Sequence, residues 1–274
     1  MPANNNGTRS YNLNLSLPAG AFTAVATQRD SSGNVAWASV MNFEIGTAPA
    51  NINLALKPTQ TIAGRVLLDG QAAGINTDLS KFMIYFRRIP AISFLSGVPP
   101  VMVRSDGSFT APGLLDGDYI VSLSGYAGYP ESLESTYVKA VSSSNMETDG
   151  TRIHVVTRPT EPATLELRLA ADSGRLSGSP VNASGEKLSN VTVLLAPANL
   201  ERRELYFTDV SDAMGRYNFE LVPAGDYKLF AWEDIEQDSW FSPTFAQRMQ
   251  DQGKLVHVEE GSRQQVDVSA IPIR

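Results

Sequence analysis

One spacing constrains this chain more than any other property. Gly107, Phe109, Gly117, Asp118 and Tyr119 recur as Gly215, Tyr217, Gly225, Asp226 and Tyr227 at a constant offset of 108 residues. A gap-free recurrence of that kind points to tandem copies of one unit and decides the domain count. The second copy contains VPAGDYKLFAWED from Val222, the first LLDGDYIVSL from Leu114, and a shorter echo, LPAGAFTAVA, starts at Leu17.

The shared element is a corner. Pro223-Ala224-Gly225 suits a three-residue hairpin loop, in which proline presets φ and glycine supplies a left-handed bulge residue. Pro18-Ala19-Gly20 has the same chemistry, and Leu115-Asp116-Gly117 keeps the glycine. Gly20, Gly117 and Gly225 are thus expected to reverse one strand into the next. Alternation of period two on either side assigns Tyr217, Phe219 and Leu221, then Tyr227, Leu229 and Ala231, to a core face. In the middle copy Phe109, Ala111, Tyr119, Val121 and Leu123 take those places.

The remaining strands follow around each corner. TIAGRVLLDG, KFMIYFRRI, RIHVVT and TLELRLA serve the middle copy; GRLSGSPVN, VTVLLAPA, ELYFTDV, KLVHVEE and QQVDVSA serve the last. Each copy therefore holds about seven strands, the pattern of a two-layer sandwich. The 21 glycines and 16 prolines are spread as such folds require, and no long amphipathic helix is evident. The predicted organisation is a partial repeat over 1–57, a sandwich over 58–170 with an apolar insertion at 88–103, and a sandwich over 171–274 with an acidic and aromatic insertion at 233–253. The partial repeat runs through NVAWASVMNFEI and NINLALK but lacks the opening strands, so half a core and a sheet edge are expected to lie open. Completion by strands outside residues 1–274, from a longer polypeptide or from a neighbouring chain, is the expectation.

GRVLLDG, SDGSFTAPGLLDGDYIVSLSGY and SDAMGRYNFELVPAGDYKLFAWED resemble the carboxypeptidase regulatory-like domains. That resemblance covers roughly Pro58 to Arg274 as two copies and implies an all-β chain of tandem Ig-like or transthyretin-like (prealbumin-like) seven-stranded β-sandwiches. Members of the family act as spacers and accessory modules of secreted peptidases, surface proteins and outer-membrane receptors. The resemblance carries no catalytic residues with it.

Composition narrows the function. Twenty-nine acidic residues against 22 Lys and Arg give a formal charge of -7, the wrong sign for a phosphate-tracking groove, so no nucleic acid is expected. The absence of cysteine excludes disulfides, thiolate metal sites and a cysteine nucleophile. No apolar run approaches the roughly 20 residues of a membrane span, and MPANNNGTRS does not read as a signal peptide. G-x-S-x-G, H-E-x-x-H and the phosphate-binding G-x-x-x-x-G-K-[ST] are absent, so no enzyme, cofactor or catalytic metal is expected.

Four features are candidates for contact. His154 and His257, the only histidines, lie on corresponding strands and read as structural or surface residues. Glu233, Asp234, Glu236 and Asp238 read as a solvated acidic loop, with calcium as the alternative that lacks the D-x-D-x-D-G spacing. Phe230 and Trp232 point off the core face, toward a cover made by Trp240, Phe241, Phe245 and Met249 or, alternatively, toward a sugar or a protein partner. The insertion holding Ile92, Phe94, Leu95, Val98, Val101 and Met102 is too apolar for a solvated loop; packing on its own sandwich and packing on a neighbour are equal alternatives, and it is the leading partner contact, with Trp232, Trp240 and Phe241 as further candidates. The functional expectation is a non-enzymatic extracellular or cell-surface module working as spacer, adhesive or filament element through other protein chains. The alternative is a carbohydrate- or protein-binding accessory module.

Overall fold

The structure is a computed structural model that describes residues 13–48, 51–69, 78–89, 98–125, 136–158, 163–200, 202, 205–236, 239–249 and 251–271. The chain divides into two compact units, Met1–Thr59 and Gln60–Arg274.

In the first unit β1 (Gly20–Arg29) and β2 (Val35–Ile45) form an antiparallel hairpin, and β3 (Lys57–Pro58) pairs with the far side of β2. The hairpin turns at Asp30, whose carboxylate accepts the amides of Ser32 and Asn34, while Gly33 takes φ 85°. Phe22 faces Phe43 and Ala24 faces Met41, with the two rings stacked 5.8 Å apart. Ala38 is the buried apolar residue of this unit among those described. The unit extends to Thr59, whose hydroxyl donates to the Val35 carbonyl.

The second unit holds two sandwiches. The first is built from β4 (Gln60–Leu68), β5 (Phe82–Ile89), β6 (Val101–Met102), β7 (Ser108–Leu114), β8 (Gly117–Gly125), β9 (Tyr137–Ser142), β10 (Glu147–Asp149), β11 (Arg152–Val155) and β12 (Ala163–Ala170). Its sheets run β7-β4-β12-β9 and β10-β11-β8-β5-β6, and between them lie Ile62, Phe82, Ile84, Phe109, Tyr119, Ile153 and Leu167, all buried. The next sandwich comprises β13 (Gly174–Gly178), β14 (Pro180–Val181), β15 (Thr192–Pro197), β16 (Phe207–Val210), β17 (Tyr217–Val222), β18 (Gly225–Trp232), β19 (Lys254–Val258), β20 (Arg263–Gln265) and β21 (Val268–Ser269), with α1 (Pro243–Met249) between β18 and β19. Here the sheets run β17-β13-β20, continued by β14-β21, and β16-β15-β18-β19.

The two sandwiches share one strand order. β4 and β13 each lie between the strand before the corner, antiparallel, and the final strand, parallel. β5 and β15 each lie beside the strand after the corner. Tyr119 and Tyr227 occupy equivalent buried positions. The expected seven strands are present, with β10 and β9 added in the middle copy and β13-β14 and β20-β21 each a single run broken in two. The copies differ after the corner strand: the middle copy spends that segment of chain on the edge strand β9, and the last on a cover over the outer face of its sheet.

The corner is not the hairpin that its turn chemistry predicts. β7 and β8 belong to opposite sheets, as do β17 and β18, so Leu115-Asp116-Gly117 and Pro223-Ala224-Gly225 carry the chain across the core. The φ angles of Gly20, Gly117 and Gly225 are 153°, 136° and 154°, positive but far from the left-handed helical value near +57° that a hairpin bulge would use. The left-handed glycines sit instead one strand earlier, in tight turns closed by Asp106 and Asp212: Gly107 at 81° and Gly215 at 68°. A second departure is Leu221, expected inward. A bulge between β13 and β17 turns it outward at φ 55° and sends Val222 into the core. The equivalent residue of the middle copy is Gly113, φ 83°, beside the bulge between β4 and β7.

Candidate interaction sites

In the two sandwiches the corner is tied by its tyrosine. The Tyr227 hydroxyl donates to the Pro223 carbonyl at 2.8 Å, and the Tyr119 hydroxyl donates to the Leu115 carbonyl at 3.1 Å while accepting the Leu115 amide at 2.9 Å. Four residues separate the partners in both copies, so the ring spans the crossing and pins it to the core. Burial pushes both phenols above their ordinary pKa. In the first unit the position is Phe22, half-buried, with no hydroxyl to make this bond.

On the outer face of the β15–β18 sheet the aromatics are covered. Phe230 and Trp232 stack at 5.4 Å, and Phe245 of α1 meets Trp232 edge-on at 5.6 Å. Trp240, Leu194, Ala196 and Leu200 complete this small core. Helix α1 starts as its sequence dictates: the Ser242 hydroxyl caps the Phe245 amide and Pro243 takes the first helical position, where no amide is needed. Trp232 and Trp240, 4% and 5% exposed, are therefore corrected from partner contacts to intramolecular packing, because their own insertion folds back over them. Phe241 stays exposed and stacks on Tyr206.

The apolar insertion is partly described. Ile92, Phe94 and Leu95 lie outside the described residues. Val98 packs half-buried on the core of its own sandwich, and Val101 and Val103 are buried in it, so these valines are not free for a partner; the reason is that Val101–Met102 adds the edge strand β6 to β5. Only Met102 of this pair is exposed.

The two histidines form matching pairs. His154 Nδ1 lies 2.6 Å from Asp118 Oδ1 across β11 and β8, and His257 Nδ1 lies 2.7 Å from Asp226 Oδ1 across β19 and β18. Both pairs are exposed, one to each sandwich, which is the surface role expected of them. Glu233, Asp234 and Glu236 are exposed, Asp238 lies outside the described residues, and among the described residues no cluster of three metal-binding side chains occurs.

Between the two sandwiches the junction is polar. The Tyr137 hydroxyl donates to Asp172 at 3.1 Å, and Lys139 pairs with Glu260 at 3.3 Å. Burial, reinforced by the Asp172 carboxylate, raises the Tyr137 pKa strongly.

The first unit presents an open sheet edge and exposed apolar residues. Its sheet ends at β1 on one side, and Trp37 and Met41 of β2 are exposed. Leu13, Leu15 and Leu17, leading to the Gly20 corner, alternate like strand residues yet belong to no sheet, with Leu13 78% and Leu15 65% exposed. Residues 51–56 are in the same condition, with Ile52 and Leu56 exposed.

No protein-family model matches the chain and no curated protein matches it, so the carboxypeptidase regulatory-like resemblance rests on the quoted residues. Among solved structures, the chain is similar to the TIE protein of Bacillus anthracis, at 13% identity over 92% of this chain and 47% of that one, with a TM-score of 0.26. It thus spans about half the length of that protein. It is also similar to GBS52, the minor pilin of Streptococcus agalactiae, at 13% identity over 79% of this chain and 98% of that one, TM-score 0.29. A third is the major pilin RrgB of Streptococcus pneumoniae, at 12% identity over 86% and 52% of the two chains, TM-score 0.23. The β-sandwich architecture itself stands on the strand orders and registers above. Among the described residues no helix is long and apolar enough to cross a membrane.

Proposed function

We propose that this chain is a non-enzymatic module of the cell surface or extracellular space, a row of transthyretin-like sandwiches that works mechanically as a spacer, adhesive or filament element by association with other protein chains. The observation that carries the reading is the contrast between repeats. Two sandwiches have the same complete strand order, whereas the first repeat presents a three-stranded sheet flanked by apolar segments outside any sheet. An exposed sheet edge beside exposed apolar side chains favours pairing with further polypeptide. The absence of nucleophile, phosphate-binding and metal motifs supports a role without chemistry. The sugar-platform alternative loses its main support, since Phe230 and Trp232 are buried.

Sedimentation velocity over a range of concentrations tests this reading. Self-association through the first unit predicts a concentration-dependent series of larger species, suppressed by Trp37→Ala with Met41→Ala. A single monomeric species throughout, together with no partner captured on a surface-protein array, would overturn it.

A further inference from the structure

The two sandwiches treat the outer edge of their final strand differently. In the middle copy β12 has β4 on one side and β9, antiparallel, on the other. In the last copy β13 lies beside β20 and β14 beside β21, but the chain between the corner strand and β19 goes into the cover that holds α1. No strand among the described residues therefore takes the place of β9. The open edge is set inside the repeat, by how the segment after the corner is used. The amides of Val266 and Val268 donate to the carbonyls of Ser177 and Ser179, and the Ser262 carbonyl accepts the Arg175 amide, so the even-numbered residues face β13 and β14. Alternation turns the N–H and C=O groups of Arg263, Gln265 and Asp267 to the open side. Their side chains are exposed, whereas Val266 is half-buried and Val268 buried. One edge group already has a partner: Lys254 donates to the Asp267 carbonyl at 2.8 Å, which leaves that oxygen its second lone pair.

We infer that this edge joins two copies of the chain, β20 pairing antiparallel with β20 of a second copy about a twofold axis at Gln265. This rests on the reading of the chain as a module that works by association with protein chains, and it names one surface that does so. Charge selects both the occupant and the register. About an axis at Gln265, Arg263 lies directly opposite Asp267 of the second copy, and Asp267 opposite its Arg263. Facing residues of a hydrogen-bonded antiparallel pair lie about 5.5 Å apart at Cα, within reach of a guanidinium and a carboxylate. Arg263 makes no ion pair among the described residues. Asp267 Oδ1 accepts the Ser179 amide at 2.8 Å, so its other oxygen remains for the guanidinium. An axis at Arg263 or at Asp267 would set like charges face to face, and an axis at Gln264 or Val266 would leave both charges unmatched. The strand is thus complementary to itself in one register. Such an isologous contact closes on two copies and merges two β17-β13-β20 sheets into one.

Sedimentation equilibrium and amide exchange of the full chain test the pairing, with Trp37→Ala and Met41→Ala present to remove association through the first unit. This chain should dimerise, and raising its concentration should slow exchange of the Gln265 amide by at least about tenfold, as pairing of a strand does. Arg263→Glu turns two attractive pairs repulsive and should weaken the dimer by at least about tenfold, whereas Arg263→Lys should hold it within about threefold. Gln265→Pro removes the central donor and should abolish the dimer, with an unchanged melting temperature in dilute solution showing that the fold is intact. Arg263→Glu, an exposed change, tests the pairing without that requirement. A monomer at every concentration, a dimer indifferent to Arg263→Glu, or protection elsewhere with none at Gln265 would each overturn the pairing. The outcome is separable from the broader reading: oligomers of the unmodified chain that vanish with Trp37→Ala and Met41→Ala keep the structural role and remove this edge. A dimer lost with Arg263→Glu alone, and untouched by the first-unit changes, keeps this edge and removes the first-unit contact.

Discussion

Leu221 shows how much one residue can hide. By alternation it belongs with Tyr217 and Phe219 on the core face, yet it stands exposed at φ 55°, on the outward side of a bulge, where the middle copy has Gly113 at 83°. Left-handed backbone costs an L-residue roughly 1–2 kcal/mol, whereas glycine there costs roughly 0.5–1 kcal/mol in chain entropy. Leu221→Gly should therefore be neutral or stabilise by up to about 1 kcal/mol, and Gly113→Ala should destabilise by about 1 kcal/mol. Urea titration of the two variants checks the opposite signs; a loss for both would show that Leu221 is held by packing and not merely tolerated. The corner tyrosines make a second contrast. Tyr227→Phe strands one carbonyl and should cost about 1 kcal/mol, while Tyr119→Phe strands both polar groups of half-buried Leu115 and should cost more, about 1–2 kcal/mol. Gly225→Val, forced to a φ of 154° that only glycine adopts readily, should cost roughly 1–3 kcal/mol by the same titration.

At the level of elements, β15 and β18 stand out among the described strands in being buried on both faces over most of their length. Val193, Leu195, Tyr227, Leu229 and Ala231 line the inside of the sandwich, while Leu194, Phe230 and Trp232 lie beneath α1. Such strands read as unbroken apolar runs, and VTVLLAPA and LFAW do. Trp232→Ala should accordingly cost about 3–5 kcal/mol, a cavity penalty rather than the small loss expected of an exposed residue. A cost under 1 kcal/mol in thermal or urea unfolding would place Trp232 outside the packed cover. The cover, the repeat and the buried tyrosines were legible in the sequence because each is written in local pattern: aromatic content beside Ser242-Pro243, a constant offset, alternation. The sheet crossing at the corner was not, since proline and glycine suit a crossing as well as a hairpin, and only the partners of the flanking strands tell them apart. The bulge at Leu221 left no trace because leucine satisfies the alternation it breaks. The candidate contacts suffered the same way: Trp232, Trp240 and Val98 carry the composition of an interface, and whether an apolar segment faces a partner or folds back on its own sheet is decided by chain path.

For the molecule as a whole, four phenols bind the two sandwiches to a pH range. Tyr119 lies in the middle core, Tyr217 and Tyr227 in the last, and Tyr137 at the junction against Asp172; burial raises the pKa of all four, with Asp267 adding to it at Tyr217 and Asp172 at Tyr137. The sign follows from linkage. An unfolded chain releases its phenol protons near pH 10, whereas the folded chain holds them to higher pH, so across that window the unfolded state binds fewer protons and stability falls as pH rises. Stability from these groups is fully present below about pH 10 and is lost on going through the folded values. The melting temperature should accordingly be nearly flat from about pH 8 to 9.5 and drop steeply beyond about pH 10. Tyr137→Phe isolates the junction: it removes the hydrogen bond to Asp172, which lowers the melting temperature at pH 8, and it removes one ionisable group, which makes the alkaline drop shallower. Those two shifts have opposite directions, so scanning calorimetry of the variant at pH 8 and pH 11 separates them. An alkaline drop as steep as that of the unmodified chain would mean that Tyr137 takes no part in holding the sandwiches together against ionisation.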